Sequence, residues 1–163
     1  DLRVNGQTLT FMANHFKSQG KSSRRELLPP DELRTRQATR VAELVKTAQA
    51  AGKLPIVFGD LNVDDTHPQR GQSLAPLMTC GLQDSFADLP RNERWTHYYV
   101  VGQDVSRLDY ILHDPRLKRT SRAINRRGIT LKCRQYDGER YPTVGYAHNA
   151  ASDHAGLCAE FAL

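Results

Sequence analysis

The chain alternates short hydrophobic runs with one long amphipathic segment. Residues 8–16 (TLTFMANHF) and 54–58 are mostly apolar and predict two strands. Between them, apolar residues recur every three or four positions over residues 31–51, which predicts an amphipathic helix ending at Gly52. The order strand, helix, strand predicts an α/β layered fold.

The rest of the chain predicts one further helix and several strands. The helix covers residues 73–80 and ends before Gly81, and the strands cover residues 95–101, 108–113, 129–133 and 157–162. No internal repeat or linker is visible, so residues 1–163 predict a single folding unit.

Polar residues interrupt these strands at their ends. The interrupting residues are Asn14, His15, Asp60, Asn62, Asp109, Asp153 and His154. If the strands lie side by side, these groups meet at one edge of the sheet. Carboxylates, amides and imidazoles without a thiolate favour a hard divalent cation such as Mg²⁺. Since an imidazole at such a site needs a carboxylate to fix its tautomer, Asp109 is expected to serve His154.

The charge balance favours polyanionic partners. The formal net charge is +5 and the pI is about 9.3. Residues 116–134 contain eight Lys or Arg and no acid, and further cations follow His15, namely Lys17, Lys21, Arg24 and Arg25. These groups predict contacts with nucleic-acid phosphates, whereas a solvated basic face is the alternative for a charge run.

Other features narrow the class of protein. No run of eighteen apolar residues is present, so a membrane span is not predicted, and no leader peptide is visible. Three cysteines stand far apart, which argues against a disulfide framework and predicts small buried hydrophobes. We predict that the aromatic side chains of Trp95, Tyr98 and Tyr99 pack in the sheet and do not serve as stacking platforms for bases. The compartment stays open between secreted or periplasmic and cytoplasmic.

The ordered motifs resemble those of the endonuclease/exonuclease/phosphatase superfamily, which has the fold of pancreatic deoxyribonuclease. The matching motifs are His15 in ANHFKS, Asp60 and Asn62 in GDLN, Asp109 in SRLDYIL, and Asp153 with His154 in SDH. They extend over essentially the whole chain. The form ANHFKSQG, followed by a basic helix, is most similar to bacterial nuclease-like members.

The resemblance implies a role for each matching residue. Asp60 would orient or deprotonate the attacking water, and Asn62 would contact the scissile phosphate. His154 would contact the phosphate with Asp109 as its partner, and His15 is the second histidine. The resemblance further implies that Asp153 ligates Mg²⁺, with Mn²⁺ or Ca²⁺ as alternatives, and that substrate contacts come from Asn14, Lys17 and Arg107.

One departure from the family pattern is large. Members normally begin with another half-domain, which carries an asparagine and a metal-binding glutamate in a Gln-Glu motif, and neither motif is in this sequence. The predicted fold is therefore half of a four-layer α/β sandwich. It has one mainly antiparallel mixed sheet with covering helices, and the second sheet is missing. An apolar sheet face should be exposed, to be covered by the missing N-terminal half or by a second copy.

The implied function is Mg²⁺-dependent hydrolysis of phosphodiester bonds by a nuclease acting on DNA or RNA, with this chain inactive alone. A phosphatase, a sphingomyelinase-like phosphodiesterase, and a non-catalytic remnant or binding module remain alternatives. Structural roles also remain open for the site residues. Asp60 and Asn62 could simply form a turn, His15 could be an ordinary surface histidine, and Asp109 could occupy an edge position in a strand.

Overall fold

The computed structural model describes residues 1–20 and 27–163, which form nine strands and two α-helices. The strands are β1 (Leu2–Val4), β2 (Gln7–His15), β3 (Leu54–Asp60), β4 (Gln83–Asp84), β5 (His97–Tyr99), β6 (Asp104–Ser106), β7 (Asp109–His113), β8 (Lys118–Asn125) and β9 (Gly156–Ala162). The helices are α1 (Pro30–Ala50) and α2 (Ala75–Met78), and short 3₁₀ turns cover Arg70–Leu74, Arg91–Glu93 and Ala147–Asn149.

Five strands form the main sheet in the order β1-β2-β3-β7-β4. Strands β2 and β3 are parallel and are connected through α1, whereas every other pair in this sheet is antiparallel. The predicted mixed, mainly antiparallel sheet with a covering helix is therefore confirmed. Strands β5 and β6 form a separate hairpin, and β8 pairs with β9.

Helix α1 covers one face of the main sheet. It begins with Pro30 at its first turn, where a proline costs no hydrogen bond, and Asp31 and Glu32 complement the helix dipole. Its apolar stripe, which includes Ala38 and Val45, is buried with residues of β3 and β7 in one cluster. Each large aliphatic side chain buried there contributes about 1.5–3 kcal/mol relative to its exposed form.

The opposite face of the sheet carries a second apolar cluster. Leu9, Leu54 and Ile56 lie there, because side chains alternate between the two faces of a strand. The β8–β9 ribbon contributes Phe161, which packs against this cluster. A recess of about 380 Å³ remains between the ribbon and the sheet, and Phe11 in its lining is 47% exposed.

Two predicted elements differ from the structure. The predicted strand over residues 129–133 is wrong, because Ile129 and Cys133 are buried by packing on Trp95 and Tyr98 from irregular backbone. The strand lies earlier in the basic tract, as β8, where exposed and half-buried positions alternate on either side of a bulge between Arg119 and Ser121. The predicted helix over residues 73–80 is shortened to a 3₁₀ turn followed by α2.

Two smaller expectations also fail. The predicted strand over residues 95–101 is reduced to β5, and Tyr99 in it is 53% exposed instead of packed. Cys80 and Cys133 are buried as predicted, but Cys158 is exposed because it occupies an outward position on β9. In the described part of the chain, no helix combines the length and the apolar character needed to cross a membrane.

Candidate active site

The sheet places three predicted site residues in one row. His15 at the end of β2 is in register with Asp60 at the end of the parallel strand β3. Asp60 is in turn opposite Asp109, the first residue of the antiparallel strand β7. Since directly paired residues project from the same face of a sheet, sequence positions 15, 60 and 109 share one edge and one face.

Gly59 permits the close approach of β2 and β3 beside this row. Its φ is +122°, a conformation that L side chains rarely adopt. A Cβ atom at this position would lie 2.1 Å from the carbonyl oxygen of Asn14. The glycine before Asp60 is therefore required by backbone geometry.

Asp60 and Asn62 form a compact hydrogen-bonded turn after β3. Asp60 Oδ1 accepts from the Asn62 backbone N–H at 2.8 Å, and Asp60 Oδ2 accepts from Asn62 Nδ2 at 3.1 Å. Asn62 Nδ2 also donates to the Phe16 carbonyl at 3.0 Å, and Asn62 has a φ of 56°. In this arrangement the amide holds the carboxylate, while the contact of Asn62 with a scissile phosphate stays a prediction.

The environment of Asp60 favours proton uptake. Burial raises the pKa of this carboxyl, and the negative charge of Asp109 raises it further, although the Asn62 backbone N–H opposes both effects. A carboxylate with a raised pKa is a better general base than an exposed one. His15 Nε2 lies 3.6 Å from Asp60 Oδ2, and its imidazole is largely exposed to solvent.

His154 and Asp109 form the predicted imidazole–carboxylate pair. His154 Nδ1 is 2.8 Å from Asp109 Oδ2, and this hydrogen bond raises the pKa of His154 against the opposing effect of burial. Asp109 is held from behind, because the buried Thr96 Oγ1 accepts the backbone N–H groups of Leu108 and Asp109 at 3.0 Å each. The pair leaves the Nε2 side of His154 for a substrate or an ion.

Asp153 lies beside a histidine that the sequence reasoning did not select. Asp153 Oδ2 is 3.7 Å from His97 Nε2, and the His97 ring centroid is 4.8 Å from that of His154. Burial and the neighbouring His154 lower the pKa of His97, which favours the neutral form of its imidazole. His97 was missed because residues 95–101 form an apolar run, and only the pairing of β5 with the chain around His154 reveals its position.

Two groups of side chains have donor atoms close enough for one ion, within the described ranges. The first is Asp60, Asp109 and His154, and the second is His97, Asp153 and His154; the donor atoms in each lie within 4.8 Å of one another. In the first group the carboxylates already accept protein hydrogen bonds. The second group offers a single carboxylate and two imidazoles, a donor set that departs from the oxygen ligands preferred by Mg²⁺. These residues alone therefore do not build a typical magnesium site.

A cleft of about 900 Å³ opens beside the cluster formed by these two groups of side chains. Its floor includes Asn62 and His154, and its walls are the chain around residues 64–70 and the β5–β6 hairpin. The exposed ring of Tyr99 lies in the hairpin wall, and Arg70 lies in the opposite wall. The cleft can accept a group attached to a phosphate that is bound at His154.

The three predicted substrate contacts are placed differently. Asn14 projects to the α1 side, where Asn14 and Lys17 line a groove that also includes His15, Arg36 and Arg40. Arg107 is only 4% exposed, donates to both carboxylate oxygens of Asp84 at 2.7 and 2.8 Å, and stacks 4.1 Å above the Tyr110 ring. The structure therefore places Arg107 in the interior and does not bring it into the cluster.

Much of the basic tract is used within the protein. Arg119 and Arg122 both donate to Asp88, and Arg126 donates to the carbonyls of Glu93 and Trp95. These contacts support the alternative of a structural, solvated face for this part of the tract. Of the cations predicted after His15, sequence positions 21, 24 and 25 lie outside the described residues.

The fold is similar to those of several solved structures. It matches an AP endonuclease from Archaeoglobus fulgidus with a TM-score of 0.66 and 15% identity, over 98% of this chain and 63% of that one. It matches humanized D. rerio TDP2 with a TM-score of 0.62 and 21% identity, over 99% and 58%. A third match is the mannosyl-6-phosphatase Bt3783 from Bacteroides thetaiotaomicron VPI-5482, with a TM-score of 0.57 and 21% identity, over 98% and 53%.

The chain spans less than two thirds of the length of each of these proteins. At these identities the matches show the shared fold. A comparison with curated protein sequences finds no match. A family comparison covers nearly the whole chain, from residue 3 to residue 154, and shows that the chain belongs to the Endonuclease/Exonuclease/phosphatase family.

Proposed function

We propose that this chain carries the C-terminal part of a divalent-metal-dependent phosphodiesterase domain, of the bacterial nuclease-like type, that acts on DNA. Members of the family are phosphoester hydrolases, and the observation that supports this function here is the cluster itself. Asp60, Asp109 and His154 lie within 4.8 Å of one another, although they are far apart in the sequence. Residues that only form a turn or a solvated surface would not need to lie together in this way.

The residues divide the chemistry of phosphodiester hydrolysis between them. Asp60 accepts the proton of the attacking water, and Asn62 fixes the orientation of that carboxylate. His154, held through Nδ1 by Asp109, presents Nε2 to a non-bridging phosphate oxygen, directly or through a bound ion, as negative charge develops. His15 stands at the exposed side, 3.6 Å from Asp60. A bound divalent cation would be ligated by Asp153 and would neutralise phosphate charge.

DNA is the substrate class that the surroundings of the cluster favour. Tyr99 offers an exposed aromatic face in the cleft, on which an unpaired base can stack. On the other side of His15, Lys17, Arg36 and Arg40 line a groove that suits the phosphates flanking the cleaved bond. Arg36 and Arg40 each pair with a glutamate on α1, which weakens the positive charge that they offer to the groove. RNA and smaller phosphoesters are the alternatives that the assay below separates.

The exposed apolar face supports the proposal that a further part of the domain packs on this chain. Phe11 and Leu163 are 47% and 44% exposed there and line the recess beside β9. The face continues directly into the His15, Asp60 and Asp109 row, since residues of β2 and β3 two positions apart share a side. An N-terminal half covering it, or a second copy, would therefore also border the site.

The test is metal-dependent plasmid nicking by this chain joined to the N-terminal half of its domain. Wild-type protein is compared in Mg²⁺, Mn²⁺ and EDTA with Asp60→Ala, His154→Ala and, as a matched control, the exposed His148→Ala. We expect Asp60→Ala and His154→Ala each to reduce the nicking rate about a hundredfold or more, with His148→Ala unchanged.

A folded assembly that does not nick DNA in any of these metals would contradict the proposal and favour a binding remnant. Equal rates for wild type and Asp60→Ala would also contradict it. Cleavage of RNA or of a p-nitrophenyl phosphomonoester, with DNA left intact, would reassign the substrate while keeping the site.

A further inference from the structure

The sequence predicts an oxygen-ligated Mg²⁺ at Asp153, but the side chains around Asp153 are two imidazoles. His97 is on β5, whereas Asp153 and His154 precede β9, and the two segments are joined by their backbones. Tyr98 N donates to the Asp153 carbonyl at 2.9 Å, and Ala155 N donates to the Thr96 carbonyl at 2.6 Å. These two bonds bracket the three side chains and fix their spacing.

Both imidazoles are oriented through Nδ1. His154 Nδ1 is hydrogen-bonded to Asp109 Oδ2 at 2.8 Å, and His97 Nδ1 is 3.3 Å from Ser106 Oγ. Nε2 is therefore the remaining ring nitrogen of each histidine for an ion. This arrangement, in which a second protein group holds the distal nitrogen, is the usual support for a metal-binding histidine.

The distances suit a single ion. Ligand atoms about 2.1 Å from a metal lie about 3–3.5 Å from one another in tetrahedral or octahedral geometry. His97 Nε2 is already 3.7 Å from Asp153 Oδ2, and donor atoms of all three residues lie within 4.8 Å of each other. Asp153 is 62% exposed, so its carboxylate can close on an ion with little cost in buried contacts.

We propose that His97, Asp153 and His154 bind one divalent transition-metal ion, such as Mn²⁺ or Zn²⁺, in preference to Mg²⁺. Two imidazoles with one carboxylate, leaving other positions open, form a donor set typical of transition metals. His97 and His154 line the cleft, from which a phosphate oxygen or a water could complete the coordination of an ion held there. The inference deepens the proposed function by naming the ion, and it rests on that function only for the ion's task.

The test uses metal binding without substrate. The purified chain is titrated with Co²⁺, whose visible absorption reports nitrogen coordination, and Zn²⁺ affinity is measured by competition with a chromophoric chelator. We expect saturable binding of one ion that excess Mg²⁺ does not displace. His97→Ala and His97→Gln are each expected to lower the affinity at least tenfold, whereas His148→Ala leaves it unchanged.

Ser106→Ala refines the test, because it removes the group that orients His97 without removing a ligand. We expect it to weaken binding less than His97→Ala does. Far-UV circular dichroism identifies any variant that fails to fold, and the use of two substitutions at His97 keeps the test decisive if one does.

Equal Co²⁺ affinity and spectrum for wild type and a folded His97 variant would overturn the inference. Displacement of the bound ion by Mg²⁺ at similar concentration would overturn the preference. Because no substrate is present, the result is independent of nicking. A chain that binds Co²⁺ through His97 but never cleaves DNA keeps this inference and loses the proposed function.

Discussion

The hydrogen bond between His154 and Asp109 gives the sharpest test of the site's electrostatics. Asp109→Asn keeps the shape and an oxygen acceptor but removes the negative charge 2.8 Å from His154 Nδ1. Because that bond is the main cause of the raised pKa of His154, we expect the pKa to fall in the variant. The pKa of Asp60, raised first by burial and then by Asp109, should fall as well.

The magnitude follows from the type of bond. At 2.8 Å the contact has the length of a charge-assisted hydrogen bond, and such bonds contribute about 1.5–3 kcal/mol to folding. Both partners are partly exposed, with His154 at 29% and Asp109 at 17%, so we take the lower end, about 1.5 kcal/mol.

The direction of the pKa shift of His154 determines how its contribution to stability depends on pH. A histidine whose pKa is raised by folding stabilises the folded state fully below its unfolded value, 6.5, and this contribution is lost as pH rises through the folded pKa. Asp109→Asn should therefore destabilise the protein more at pH 5 than at pH 9.

The assay is urea denaturation at both pH values, with the His154 ring proton followed by NMR in metal-free buffer. Asp137→Asn makes the same charge change at an exposed position outside the cluster. An unchanged titration of His154 in Asp109→Asn would show that Asp109 does not raise its pKa, and equal destabilisation by the two variants at pH 5 would show that the hydrogen bond adds no stability there.

Three further predictions concern the support of the site and its cleft. Arg107→Met leaves the Asp84 carboxylate without its bidentate partner, so the free energy of unfolding measured in urea should fall by about 3–5 kcal/mol, and adding Asp84→Leu should restore most of it; no recovery would contradict the pairing. Gly59→Ala forces the β2 backbone away from β3, so it should lower the melting temperature and disturb the amide signals of both strands, an effect that the exposed Gly20→Ala should lack. Tyr99→Ala should weaken fluorescence-detected binding of single-stranded DNA by about 1–3 kcal/mol, and Tyr99→Phe should preserve it; equal loss in both would exclude stacking.

The elements that form the sheet could be predicted because their sequence patterns are local. The apolar runs of β2 and β3, the helical spacing of α1 and the polar residues at strand ends each lie within about ten consecutive positions. The row of His15, Asp60 and Asp109 then follows from the pairing of β2, β3 and β7, whose predicted ends lie within two residues of the observed ones.

The failed or missing predictions depend on contacts between distant segments. Ile129 is buried because it packs on Trp95, and no local periodicity in the sequence reveals that contact. Arg107 looks like a site residue, since it is two positions from Asp109, yet its partner is Asp84, 23 residues away in the chain. His97 becomes a site residue only because its backbone pairs with His154.

NMR titration of this chain with a thymidine dinucleotide measures whether the distant motifs form one phosphodiester-binding site. We expect saturable shifts of the His154 ring protons and the Asn62 side-chain amide, with those of His148 unchanged, and loss of these shifts in Asp109→Asn. Shifts confined to the β8–β9 ribbon, with His154 and Asn62 unmoved at saturation, would contradict it.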